Sequence, residues 1–364
     1  MVLSSFFVAE RSSPEVYRLF VESEYDTDGD GWLDCIQLLV FVPEGEGLFP
    51  TVLLANPYGM GTGNGIEDSA DHASTSTTSF SVSSASKVSI GRRTAEEYCG
   101  PDSEPKAADL WMSEADHALI DILLEEGYAV AACAGPGTFG SQGWNMVLEE
   151  EERMSWNCIS SFLSGERTAF LEIAGGRYTD AFWSDGRLLF FGHSYGGAIG
   201  LSLVQRDPDL FDAMILSAPV VDWKSWYEGA LSYSNRPMSD LARFVSSKVF
   251  EEGELDAYQK YLRFLDEEVT KKEIWNGRSY LDIRPSCPVL LVQGVGDDVV
   301  GTASVYSLFS SLEKTGIPVS LVVHGMGHQF PLTRSGFDSF LFKWMDDALR
   351  TGEVSLRIAE FFGN

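Results

Sequence analysis

Leu188-Leu189-Phe190-Phe191-Gly192-His193-Ser194-Tyr195-Gly196-Gly197-Ala198 is the stretch that decides how this chain folds. Its four consecutive apolar residues make a short buried strand. The small residues Gly197, Ala198 and Gly200 then open a helix that can pack closely. Between strand and helix, Gly192 and Gly196 frame a serine in the pattern G-x-S-x-G. A strand that turns sharply into a helix carries such a serine at the tip of a strained turn, where a nucleophile stands.

Working outward, the runs 16–24 and 35–42 are β-like, and 51–55 is a short strand ending in Asn56-Pro57-Tyr58-Gly59. Residues 62–108 are rich in Ser, Thr and Gly and too long for an ordinary connection; they read as an active-site flap or an irregular segment. A helix is expected over 113–126, a strand over 128–133 and a helix over 149–163. Between the last two lies the glycine-rich loop 135–144, which lacks the Lys-Ser/Thr ending of a phosphate loop and so does not point to a nucleotide. After the serine comes a strand at 214–217. Residues 229–286 then hold helical runs and no convincing strand. Alternation resumes with a strand at 288–293, a helix at 303–315, a strand at 318–323 and a last amphipathic helix at 336–349.

This order predicts an α/β protein with the α/β-hydrolase fold: a mostly parallel sheet, helices on both faces and an inserted helical cap. The expected organisation is a first core part at 1–228, including the flap 62–108, a helical cap at 229–286 and a second core part at 287–364.

Composition narrows the function. The chain has 364 residues, with 26 Lys and Arg against 54 Asp and Glu, a net charge of −28. Such a surface repels nucleic acid and anionic membranes and suits a neutral or cationic substrate. No apolar stretch is long enough to span a bilayer. Five cysteines in no paired spacing suggest reduced thiols and a cytoplasmic setting. A homo-oligomer is compatible with all of this. Asp26-Thr27-Asp28-Gly29-Asp30-Gly31 resembles the start of a calcium loop, but Gln37 stands where the bidentate Glu belongs. The expectation is a turn between antiparallel strands, with no metal and no cofactor.

A serine hydroxyl needs an imidazole base, and the imidazole needs an orienting carboxylate. In this fold the chain order is serine, acid, histidine. Behind Ser194 stand His324 and His328. His328, on the loop Gly325-Met326-Gly327-His328, is the expected base and His324 the alternative. The acid is expected just past the strand at 288–293, as Asp297, with Asp298 the alternative. His193 is expected to be structural, its side chain leaving the elbow in another direction. The backbone N–H of Tyr195 supplies one oxyanion donor. Tyr58, in the loop after the strand at 51–55, is placed to supply the other through its hydroxyl. A non-catalytic binding protein on the same fold is the reading from another class, and a complete triad argues against it.

These segments together resemble the Xaa-Pro dipeptidyl-peptidases, within the peptidase and esterase family that also includes cocaine esterase and glutaryl acylases. The resemblance runs in order through Asp26–Gly31, Asn56-Pro57-Tyr58, Gly135-Pro136-Gly137-Thr138, Ser141-Gln142-Gly143 and the serine motif. It continues through Ser225-Trp226-Tyr227, Trp275-Asn276-Gly277-Arg278-Ser279-Tyr280 and Gly294-Val295-Gly296-Asp297. It implies Ser194, Asp297 and His328 as the triad and Tyr58 as side-chain oxyanion donor. It also implies that Trp226 and Tyr227 wall the acyl or proline pocket; by composition alone they read as core residues. The implied activity is serine hydrolysis of small peptides through an acyl-enzyme, with small acyl esters or amides the alternative. Two positions depart from the family pattern: His193 replaces a lysine, and Val299 replaces an asparagine two residues after the acid.

Overall fold

The computed structural model describes residues 14–59, 114–171, 177–229, 237–248, 253–269, 271–354 and 358–362. The expected flap, 62–108, lies outside these residues, as do 230–236, 249–252 and 270 of the expected cap.

Strands β1 (Glu15–Glu22), β2 (Cys35–Val42) and β3 (Phe49–Ala55) precede helix α1 (Glu114–Glu125) and strand β4 (Ala129–Cys133). Helix α2 (Glu150–Leu163), the short strands β5 (Ala169–Phe170) and β6 (Tyr178–Thr179), and the long strand β7 (Ser184–His193) follow. Next come α3 (Tyr195–Arg206), β8 (Ala213–Ser217), α4 (Trp223–Glu228), α5 (Met238–Val245) and α6 (Glu254–Glu268), with a 3-10 turn at Lys272–Trp275. The remaining elements are β9 (Val289–Gly294), α7 (Thr302–Thr315), β10 (Val319–His324), α8 (Phe337–Thr351) and β11 (Ile358–Phe361).

Among the described residues, eleven strands form one sheet in the order β11-β10-β9-β8-β7-β3-β4-β2-β1-β5-β6. From β11 to β4 the neighbours run parallel. From β4 onward, β2, β1, β5 and β6 add on antiparallel. The mostly parallel sheet is the expected one. Strands β8 and β9 are buried along their whole length, as strands covered on both faces must be.

The apolar run of β7 still alternates. Leu188 and Phe190 pack into one core layer, Leu189 and Phe191 into the other. The first layer receives the apolar sides of α2, α3 and α7, the second those of α1 and α8. A uniform apolar string therefore serves two cores, one per face, by the period-two rule. Among the described residues of 229–286 the regular elements are α5, α6 and the 3-10 turn, with one isolated bridge between Ser279 and Asp222. Ser239 of α5 donates to Asp266 of α6 through N–H and hydroxyl, at 2.9 and 2.6 Å. Three strands escaped the sequence reading. Strands β5 and β6 have two residues each, and β11 is an edge strand of four with no buried residue. None has enough apolar alternation to register.

Among the described residues no helix is long and apolar enough to cross a membrane. Cys35, Cys133, Cys158 and Cys287 are buried, and Cys133, Cys158 and Cys287 are free thiols.

Candidate active site

The parallel register delivers the loops of β3, β7, β8, β9 and β10 to one edge of the sheet. Ala55, the last residue of β3, lies opposite Gly192, and His193 lies opposite Ser217. The turn between β7 and α3 is thus bounded on both sides by strand ends. Ser194 sits in it at φ 57° and ψ −117°, a conformation that L-residues rarely adopt and that costs about 1–3 kcal/mol. Three backbone bonds hold it there: Ser194 N–H donates to the Ser217 carbonyl at 2.8 Å, and the Ser194 carbonyl accepts Ala198 N–H at 3.1 Å and Val220 N–H at 3.3 Å. The framing glycines are required by close approach. A Cβ on Gly196 would lie 2.1 Å from the Ala55 carbonyl oxygen, and one on Gly192 would lie 2.3 Å from that of Gly196.

The turn after β9 and the loop after β10 bring an acid to a base. His328 Nδ1 lies 2.8 Å from Asp297 Oδ2. The other carboxylate oxygen accepts the amides of Val299 at 2.9 Å and Val300 at 2.8 Å. Gln293, buried in β9, donates its side-chain amide to Asp297 Oδ2 at 3.2 Å. Burial alone would raise the carboxyl, but the His328 ring and these amides outweigh it and hold Asp297 below the usual carboxylate range. A carboxylate fixed in this way keeps the proton of His328 on Nδ1 and leaves Nε2 as an acceptor. Backbone proximity makes the pairing feasible: a Cβ on Gly294 would lie 2.3 Å from the Gly327 carbonyl oxygen. Asp298, the alternative acid, is exposed. His324, the alternative base, is fully buried at the end of β10, where burial first and the charge of Arg334 next push it down to about 4.

His193 does not leave the site. Its Nδ1 lies 2.9 Å from Ser217 Oγ, and its ring lies 4.5 Å from the ring of His328. Burial first, and the neighbouring His328 next, lower it to about 3, so it is neutral at physiological pH. The chain thereby sets an uncharged ring against His328, where the family pattern has a lysine.

Tyr195 is the first residue of α3, so its N–H belongs to the first turn, which has no intrahelical acceptor and faces the positive end of the helix dipole. Its side chain is buried. The Tyr195 hydroxyl donates to Glu152 Oε1 at 2.8 Å and accepts from Asn145 Nδ2 at 3.2 Å. Glu152 also accepts the amides of Met146 and Leu148 at 2.8 and 3.1 Å. Burial raises the Glu152 carboxyl even against the hydrogen bonds from Tyr195, Leu148 and Met146. Val147 and Leu148 take positive φ, at 49° and 57°, to wrap around it. Tyr58 lies three residues beyond Ala55, half-buried, with its ring 5.6 Å from Phe244 of α5.

Trp226 of α4 donates its indole N–H to the Val299 carbonyl at 3.0 Å, which ties it to the turn carrying Asp297. Tyr227 packs against Trp275, with ring centroids 5.4 Å apart. A cavity of about 350 Å³ is lined by Trp226, Val220, Val221, Leu281, Val300 and Ala303, among others. Val220 bonds the Ser194 carbonyl and Val300 bonds Asp297, so this mostly apolar space abuts the residues around the serine.

Against this geometry, known proteins are informative. The profile of the X-Pro dipeptidyl-peptidase (S15) family matches residues 28–329. The chain belongs to that family. Among its relatives, the Xaa-Pro dipeptidyl-peptidase of Streptococcus thermophilus (strain CNRZ 1066) is 25% identical over 336 residues, covering 86% of this chain and 44% of the relative. That of Streptococcus gordonii (strain Challis) is 26% identical over 345 residues, covering 89% of this chain and 45% of the relative. The chain thus spans under half the length of these S15 relatives. In fold it is similar to a CocE/NonD family hydrolase from Staphylococcus aureus, with TM-score 0.56 and 15% identity over 96% of this chain and 57% of the other. It is also similar to the Pyrococcus horikoshii acylaminoacyl peptidase, with TM-score 0.52 and 15% identity over 95% of this chain and 44% of the other. The expected α/β-hydrolase fold and the S15 resemblance both hold.

Sequence reading missed two separate supports, Glu152 with Asn145 beneath Tyr195 and Gln293 beside Asp297. Glu152 closes the acidic run Glu149–Glu152, which reads as a solvated helix start. Only the turn at Val147 and Leu148 folds it inward. The polar Gln293, at the end of an apolar strand, was the one signal available.

Proposed function

We propose that this chain is a serine hydrolase that acts through an acyl-enzyme, with Xaa-Pro dipeptidyl-peptidase-like cleavage of small peptides as its activity. The observation that carries the proposal is the strained serine at a strand–helix elbow together with a histidine bonded to a buried carboxylate. Ser194 Oγ attacks the scissile carbonyl while His328 Nε2 takes its proton. Asp297 stabilises the imidazolium. Tyr195 N–H and the Tyr58 hydroxyl bind the oxyanion of the tetrahedral intermediate. Collapse breaks the C–N bond, and the leaving amine takes the proton from His328. Water, deprotonated by the same histidine, then releases the acyl group and restores Ser194.

Family membership supports a dipeptide ending in proline as the acyl group. Trp226 and Tyr227 are its proposed pocket walls. A proline ring brings apolar area and no N–H, and a fixed indole face suits it. The net charge of −28 favours a substrate with a free ammonium terminus. Buried free thiols at Cys133, Cys158 and Cys287 support a cytoplasmic setting. We place the fold's division as a core at 1–228 and 287–364 with a cap at 229–286.

One observation favours a second reading, ester or amide hydrolysis of a small acyl substrate. Val299 puts an apolar side chain where the family pattern has an asparagine, and the cavity beside it is mostly apolar. A substrate panel separates the two. Ala-Pro and Gly-Pro anilides are expected to be cleaved, and blocking their amine is expected to slow cleavage. Turnover of short acyl nitrophenyl esters alone would reject the peptidase reading in favour of the second.

A further inference from the structure

The Asp26–Asp34 turn between β1 and β2 takes no part in the chemistry above, yet it is built around buried charge. One carboxylate oxygen from each of Asp26, Asp28 and Asp34 lies within 4.8 Å of the others. Asp26 is exposed and accepts the amides of Gly29, Asp30 and Gly31 at 2.7, 3.2 and 3.0 Å, which curls the loop back over it. Asp34 is 1% exposed. Its Oδ2 accepts Thr27 N–H at 3.1 Å and the Thr27 hydroxyl at 2.6 Å, while its Oδ1 is buried with no hydrogen-bond partner. The Asp28 side chain is 6% exposed. Its Oδ2 accepts Gly143 N–H at 3.0 Å and Lys248 Nζ at 2.9 Å, and its Oδ1 is again buried without a partner.

A buried polar atom left unbonded is destabilising, and more so when it carries charge. Two such oxygens on two clustered carboxylates call for a cation, since hydrogen-bond donors to the other oxygens are already in place. Lys248 does not suffice, because its single charge is shared between Asp28 and Glu254.

We propose that Asp26, Asp28 and Asp34 bind a calcium ion. The donors are all oxygen, with no histidine or cysteine among them, which selects a hard cation. Asp26, Asp28 and Asp34 hold positions 1, 3 and 9 of a calcium loop, and Gly31 holds position 6 at φ 91°. Residues 26–34 do connect the antiparallel strands β1 and β2, as expected, and the proposal departs only from the expected absence of a metal. The missing bidentate ligand still counts: Gln37, at position 12, is buried within β2 and packed near Gly140. The affinity therefore belongs to the weak end of such sites, roughly 10⁻⁵–10⁻³ M.

The ion has a positioning role. Asp28 bonds Gly143, and Thr27 Oγ1 accepts Trp144 N–H at 2.9 Å. The next residue, Asn145, bonds both Tyr195 and Glu152. Filling the turn stiffens the loop that holds the first residue of α3.

The test uses the full chain freed of metal with a chelator. Terbium, excited through Trp32 in the loop, is expected to give saturable sensitised emission that calcium displaces. Calcium is expected to raise the Tm by several degrees, and magnesium at equal concentration much less. Asp26→Asn and Asp34→Asn are each expected to weaken calcium binding by about tenfold or more, because affinity follows ligand charge. Asp26 is exposed, so its variant serves if Asp34→Asn does not fold. The proposal is overturned if about 10 mM calcium leaves the wild-type Tm unmoved, ten times the weak limit of such sites. It is equally overturned if magnesium matches calcium, or if Asp26→Asn binds calcium as the wild type does.

Discussion

Ser194→Ala is expected to lower kcat by on the order of 10⁶-fold against whichever substrate the panel identifies, with the fold intact. The size follows from what the side chain does. Ser194 Oγ is the only atom in the scheme that bonds covalently to the substrate, and no neighbour can take over. His193 is engaged with Ser217, and the Tyr195 hydroxyl is buried against Glu152. What survives is binding and the oxyanion donors, worth about 10³–10⁴ over water. The fold should persist because the turn is held by backbone bonds from Ser217 and Val220, and alanine keeps both. Activity and thermal unfolding, measured on the same preparation, check the two halves of this statement. Full activity in the variant would remove the assignment.

Asp297→Asn is expected to cost about 10⁴-fold in kcat, mainly through the tautomer of His328. The new side-chain oxygen can still accept Val299 and Val300 N–H, as Asp297 Oδ1 does now. That choice puts the amide NH₂ at the position of Oδ2. There it faces the ring nitrogen of His328, 2.8 Å away, and the NH₂ of Gln293, 3.2 Å away. His328 must then carry its proton on Nε2, where it cannot accept one from serine. Two amide NH₂ groups also oppose each other in a buried place. The loss should therefore fall on kcat, with KM little changed, and Gln293→Glu should not restore it. Retention of more than about a tenth of wild-type kcat would mean that His328 does not depend on this carboxylate.

Parts of this site are legible in the chain itself because they are local. The elbow needs glycines on either side of the serine, and the structure shows why: Ala55 and Gly196 carbonyls occupy the space a side chain would take. The acid was readable because it lies in the turn just past an apolar strand. Other parts depend on tertiary placement. Nothing in the sequence says that His193 leans on His328, since that contact joins the ends of β7 and β10. Glu152 reads as a surface charge until the positive-φ turn at Val147 and Leu148 folds it under α3. The Asp26–Asp34 turn reads as solvated for the same reason. Only the carboxylates of Asp28 and Asp34 are buried in it, and Asp28 is covered by Gly143 and Lys248, over a hundred residues away in the chain.

The central claim is that Ser194 is an activated nucleophile. The most direct measurement is reaction of the wild-type protein with a fluorophosphonate probe, followed by mass spectrometry of the labelled peptide. The account predicts one adduct, on Ser194, with labelling abolished in Ser194→Ala and strongly slowed in Asp297→Asn. An unlabelled wild-type protein, or an adduct on another residue, would contradict it.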